Sequence, residues 1–158
     1  MRCTALATIS LLLTTTACSK APEPKEFLIK AIRGDNSETQ LGAMAAQRGG
    51  PAVRAYGQTL VADHTKARKE AERVAVRHGV QPPTDLLPEA SDEQQKLAKL
   101  QGADFDKEFA NYMVKDHKED VSDFTKEAQS HAPDDVRALA QGALPDLQKH
   151  LDMAKRLS

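Results

Sequence analysis

The sequence predicts an all-α protein in which four long helices form two hairpins, joined by one long crossover that carries a short helix. Three observations predict it. From Phe27 onward, apolar and small residues recur at a 3-4 spacing, as in helices that bury one face. Gly49-Gly50-Pro51 and Gly79 punctuate that pattern where helices stop and start. Leu60-Val61-Ala62-Asp63-His64 returns as Met113-Val114-Lys115-Asp116-His117, and the same displacement pairs Tyr56 with Phe109, Ala75 with Ala128 and His78 with His131. Two such hairpins separated by a crossover are the ferritin-like form of the four-helix bundle. Only 4% of residues are aromatic, so the core is built on Ala and Leu, which suits close helix packing.

The elements follow in order. The first helix, about 25–48, has the inward stripe Phe27, Ala31, Gly34, Glu38, Leu41 and Ala45. Gly34-Asp35-Asn36 weakens it and is expected to kink it. The second, about 51–78, has Val53, Tyr56, Gly57, Leu60, His64, Ala67, Ala71, Val74 and His78. Residues 80–102 are the crossover, in which Ser91 and Gln94 are spaced as a capping box that opens a short helix to about Leu100. The third long helix, about 103–131, has Phe109, Met113, His117, Val121, Phe124 and Ala128. Pro133 with Asp134 and Asp135 starts the fourth, about 133–157, on Val136, Ala140, Ala143, Leu147, His150, Ala154 and Leu157. Pro145 lies inside it and should bend it near Gln141.

The first 17 residues differ from the rest: Arg2, an apolar run from Leu6 to Leu13, then Thr15-Thr16-Ala17 before Cys18. This reads as a secretory signal peptide, too short for a stable membrane span. A Cys after small residues resembles a lipobox, with Thr15 standing where that motif prefers Leu; lipidation at Cys18 is expected, and plain cleavage after Ala17 is the alternative. Cys3 would leave with the signal, so no internal disulfide is expected in an oxidising compartment. The expected organisation is a signal peptide over 1–17, a lipidated Cys and polar tether over 18–25, and the bundle over 26–158. The expected location is the periplasm, anchored to the outer membrane by the lipid, since Ser19 rather than Asp follows the Cys.

Four polar residues occupy stripes that should be buried: Glu38, His64, His117 and His150. Across the first hairpin turn, Glu38 and His64 differ in height by about 4.5 Å, and across the second, His117 and His150 by about 3 Å. One residue from each helix therefore reaches one layer. Three imidazoles and a carboxylate make a site for one transition-metal ion, zinc, copper or iron. Asp63, Asp116, Asp120 and Asp146 lie beside or one turn from these histidines and are candidates to orient the rings. The same four side chains also make a self-satisfied polar core with no metal. His78 and His131 stand at helix C-termini, where the helix dipole favours a cationic ring.

The pattern Glu38 with Leu41-Gly42, Val61-Ala62-Asp63-His64, Phe105-Asp106, Met113-Val114-Lys115-Asp116-His117, Leu144-Pro145 and His150-Leu151 resembles the bacterial domain-of-unknown-function 4142 family, over about 25–157. The resemblance implies a ferritin-like helical fold and an envelope location, and brings no activity with it.

The formal net charge of -1, with both signs interspersed, gives no footing for nucleic acid. The chain has no Gly-x-Ser-x-Gly, no His-Glu-x-x-His and no phosphate-binding Gly-rich loop. It has no Glu-x-x-His either, the motif that di-iron enzymes of ferritin-like form place on two helices. An enzyme therefore ranks behind a metal-binding module and behind a structural or stress-related interaction protein.

Overall fold

A computed structural model describes residues 23–158. The expected signal peptide over 1–17 and the expected lipidation at Cys18 lie outside the described residues. Five helices follow: α1 (Pro24–Arg48), α2 (Pro51–Arg77), α3 (Pro88–Ala98), α4 (Gly102–Ala128) and α5 (Asp134–Lys155). There is no strand among the described residues, and no helix there is long and apolar enough to cross a membrane. The hairpins α1/α2 and α4/α5 are the most extensive pairings, α2 packs on α5, and α3 lies in the crossover against α1 and α4.

Most of the expected boundaries fall within a few residues. Pro24 and Lys25, assigned to the tether, already belong to α1, because Pro at the first helical position presets φ and gives up an N–H that would have no partner. The short helix corrects the reading more sharply. It starts at Pro88 with Leu87 as its cap, and no side chain caps it. Ser91 and Gln94 lie inside it, and Gln94 donates to Gln40 Oε1 at 3.0 Å. The third long helix stops at Ala128, so His131 lies beyond its end and is exposed. His78 does stand at the end of α2 and bonds Asp135 Oδ1 at 2.9 Å.

Neither expected blemish breaks its helix. α5 continues through Pro145. α1 continues through Gly34-Asp35-Asn36, and the reason is that its polar side chains are tied down. Asn36 Nδ2 donates to the carbonyls of Pro83 and Asp85, both at 3.2 Å, and Leu87 N–H donates to Ser37 Oγ at 3.0 Å. These bonds fix the crossover on α1.

The core has two apolar parts. One gathers Leu41, Tyr56, Leu60, Phe105, Phe109 and Met113. The other gathers Phe27, Leu28, Ile32, Val74, Val136 and Ala140. Along α1 the residues between them are Asp35 to Glu38, all buried. The two hairpins are also tied at their ends. Asp106 of α4 accepts the Gly50 N–H at the start of α2 at 3.0 Å, and Arg77 of α2 reaches Asp135 of α5 at 3.0 Å.

α1 and α2 approach closely at Gly42 and Gly57. A Cβ on Gly57 would stand 2.5 Å from the Gly42 carbonyl oxygen and 2.7 Å from Ala46 N, and both obstacles are backbone. Gly57→Ala is therefore expected to destabilise the protein by about 1–3 kcal/mol. Gly34→Ala meets nothing within 4 Å and should stabilise it by about 0.5–1 kcal/mol. Urea denaturation of the two variants checks this opposition of sign.

Glu127 of α4 is fully buried, and neither of its carboxylate oxygens has a hydrogen-bond partner. Burial raises its pKa. The folded state thus favours the protonated acid, and stability is lost as pH rises from the unfolded carboxylate value through the folded one. Glu127→Leu is expected to add about 1–3 kcal/mol at neutral pH. That gain should shrink below the ordinary Glu pKa of about 4.3, as read by thermal melts at both pH values.

Candidate metal centre

The polar layer draws on four helices. Glu38 and Asp35 lie one turn apart on α1, His64 is mid-α2, His117 mid-α4 and His150 late in α5. Glu38, His64, His117 and His150 are at most 3% exposed. The imidazole centroids are 5.8 Å (His64–His117), 5.0 Å (His64–His150) and 5.3 Å (His117–His150) apart. One nitrogen from each ring lies within 4.8 Å of the other two. The three histidines singled out by spacing therefore meet.

Each ring is held from outside by an oxygen. His117 Nδ1 lies 3.1 Å from the Met113 carbonyl one turn back, an acceptor only, so Nδ1 carries the hydrogen and Nε2 keeps its lone pair. His150 Nε2 lies 2.9 Å from Asp63 Oδ2, so Nε2–H donates and Nδ1 keeps its lone pair. His64 Nδ1 lies 2.9 Å from Asp35 Oδ1 and 2.9 Å from Glu38 Oε2. Its Nε2 then faces His150 Nδ1 at 3.2 Å. Outer N–H groups donated to oxygen, with inner nitrogens turned to one point, is the way histidines are oriented around metals.

Protonation completes the picture. Burial pulls His64 down, but Glu38 and Asp35 outweigh it and hold the ring well above the ordinary imidazole pKa. Burial, with the charges of His64 and His150, drives His117 well below it. Burial also lowers His150, against the pull of Asp63. His64 is thus the cationic member, and its Nε2–H donates to the His150 lone pair. A single proton sits among the rings.

His117 Nε2 and Glu38 Oε1 are 3.1 Å apart, yet neither makes an aligned hydrogen bond. Two buried orphan atoms thus face each other at the edge of the tripod. Burial pushes Glu38 up to about 7. Glu38 forms one close group with Asp35 and His64 and a second with Asp116 and His117.

The four aspartates expected to orient the rings divide. Asp63 does so, for His150 rather than for its neighbour His64, and it also takes Lys149 Nζ at 2.9 Å. Its pKa is lowered because these two hydrogen bonds outweigh partial burial. Asp116 meets Glu38 instead of a ring, and burial and Glu38 raise it well above the carboxylate range. Asp120 is raised likewise, by burial and Asp116. Asp146 is exposed and comes within 4.0 Å of Lys149, so it is not a partner of His150. Asp35 went unnoticed, although it bonds His64 directly. Its signal was its place one turn before Glu38 on the same stripe, hidden because Gly-Asp-Asn reads as a weak point in a helix.

Fold and site define an all-helical bundle with a buried histidine–carboxylate layer that could hold a metal ion. The chain belongs to the family of the domain of unknown function DUF4142, whose model matches residues 12–157. No curated protein matches it. Its fold is similar to the crystal structure of a DUF305 fragment from Deinococcus radiodurans, with a TM-score of 0.74 at 16% identity, covering 87% of this chain and 95% of that one. At that identity the likeness speaks for the fold alone.

The tautomers are open to measurement. Nitrogen-15 spectra of the metal-free protein near neutral pH should show His117 protonated only at Nδ1, His150 only at Nε2, and His64 at both nitrogens. A neutral His64 would refute the arrangement.

Proposed function

We propose that this protein binds one transition-metal ion through His64 Nε2, His117 Nε2 and His150 Nδ1, with Glu38 Oε1 beside them as the fourth donor. The observation that carries the reading is the direction of the rings. Each gives its outer N–H to an oxygen, the inner His64 Nε2 and His150 Nδ1 stand 3.2 Å apart, and one nitrogen of each ring lies within 4.8 Å of one on each of the other two. The separations support it. Donors about 2.0–2.1 Å from a tetrahedral ion stand about 3.3 Å from one another. His64 Nε2 and His150 Nδ1 are 3.2 Å apart, and His117 Nε2 and Glu38 Oε1 are 3.1 Å apart. An imidazole-rich set suits zinc, copper or iron.

The competing reading is a metal-free polar core in a structural or interaction protein of the cell envelope. The hydrogen bonds of His64 and His150 favour it. The orphaned His117 Nε2 and Glu38 Oε1 weigh against it, since a finished hydrogen-bond network leaves few such atoms.

We infer the bundle's role from the setting that the sequence leads us to expect. Two hairpins and a crossover suit the ferritin-like connectivity. The sequence before the bundle supports export and a lipid tether at Cys18, which would hold the domain at the outer membrane facing the periplasm. There it would store, deliver or sequester the ion, with no substrate turned over.

Elemental analysis of the protein, purified without a histidine tag and incubated with zinc, copper or iron, tests this. One equivalent is expected to survive gel filtration in the wild type. His117→Ala should lower affinity by about 10-fold or more. Asp63→Ala, which leaves the ligands in place but frees His150, should cost about 10–100-fold. Wild-type protein that retains no metal, or a His117→Ala variant that loses stability with metal content unchanged, would favour the metal-free core.

A further inference from the structure

Glu38, His64, His117 and His150 are at most 3% exposed, so an ion held by them needs a way in and out. A cavity of about 60 Å³ borders three of the four, Glu38, His64 and His150. It is also bordered by Lys30 and Asp146, whose side chains are 46% and 63% exposed. The cavity therefore runs from the layer to the surface. His117 does not border it, so an arriving ion meets the other three first.

Small residues leave the space open. Ala31 and Gly34 of α1, Ala67 of α2 and Ala143 of α5 are among its walls. Gly34 matters most. It falls on the inward stripe of α1 one turn before Glu38, yet a Cβ there would meet nothing within 4 Å. Close-packed interiors seldom leave such room beside a core stripe. A water needs roughly 10–15 Å³ of such space, so the cavity passes an ion with a few waters. Its apolar walls offer no ligand that would hold the ion on the way. Asp146 at the exposed border, and Asp35 and Glu38 beside His64, supply oxygen in place of the water it sheds.

We propose that this cavity is the path by which the ion enters and leaves the tripod, and that Gly34 keeps the path open. The inference rests on the tripod reading above, and adds to it how ligands so deeply buried exchange their ion.

The test is a plug. Gly34→Leu fills the path without replacing a ligand. An obstacle on the way raises the barrier in both directions and leaves both end states as they were. Uptake and release then slow by the same factor, with affinity unchanged, whereas damage to the ligands changes affinity. Gly142 of α5 supplies the control, since it is exposed, does not border the cavity, and a Cβ on it also meets nothing within 4 Å. Stopped-flow mixing of the purified, untagged protein with zinc gives the uptake rate, and excess chromophoric chelator gives the release rate. Gly34→Leu is expected to slow both by about 10-fold or more, with wild-type zinc content and affinity. Gly142→Leu should keep wild-type rates. Ala143→Leu plugs the same cavity from α5, and takes the place of Gly34→Leu should circular dichroism show that variant unfolded. Wild-type rates in the folded plugged protein overturn the path and leave the tripod standing. Equal slowing by Gly142→Leu overturns it as well. A wild type that binds no zinc defeats the tripod reading, and this proposal with it.

Discussion

The structure depends on one constraint: imidazoles and carboxylates are buried between two apolar cores, so their bonds must be met inside the protein. A single buried polar group left unpaired costs on the order of 1–3 kcal/mol, and the layer holds several. The solution is collective. Asp35 and Glu38 steer His64, Met113 O steers His117, and Asp63 steers His150. With the outer nitrogens fixed, the inner ones have no freedom left and must face each other. The ring geometry is thus set by oxygens outside the tripod.

Much of this was legible in the chain. Helices announce themselves by the 3-4 spacing, and Gly49-Gly50-Pro51 marks its turn because Gly and Pro restrict the backbone directly. His64, His117 and His150 were legible because a polar residue on an apolar stripe has nowhere else to point. Partners across helices were not. Asp63 serves His150 on α5, not the adjacent His64, since neighbours in sequence diverge by about 100° on a helix of 3.6 residues per turn. Asp146 lies one turn from His150 and still faces outward. The start of α3 was misplaced because Ser91 and Gln94 fit a capping pattern that Pro88 pre-empts.

The internal repeat shows how similar sequence can carry unlike chemistry. Asp63-His64 and Asp116-His117 occupy equivalent places in the two hairpins, yet His64 is raised and His117 lowered in pKa. The difference lies in what the partner helix brings. α1 presents two carboxylates to the Nδ1 of His64, whereas His117 spends its Nδ1 on its own helix. The aspartates diverge as well: Asp63 meets Lys149 and stays ionised, and Asp116 meets the carboxyl of Glu38.

Residues 35–38 join this layer to the rest of the fold. Asp35 and Glu38 turn inward to His64, while Asn36 and Ser37 hold the crossover through Pro83, Asp85 and Leu87. One helical turn therefore carries both tasks, because alternate sides of a helix are reached within four residues. α1 holds the crossover at two further points as well, through Arg33 on Asp85 and Arg48 on the carbonyls of Leu97 and Leu100. Any shift of that turn would move two carboxylates relative to the imidazoles and loosen the crossover at the same time. Gly34, which meets nothing within 4 Å, precedes it, and the close Gly42–Gly57 contact follows it. The slack lies on one side of the polar turn and the tightest packing on the other, so the turn is pinned from the Gly42 end.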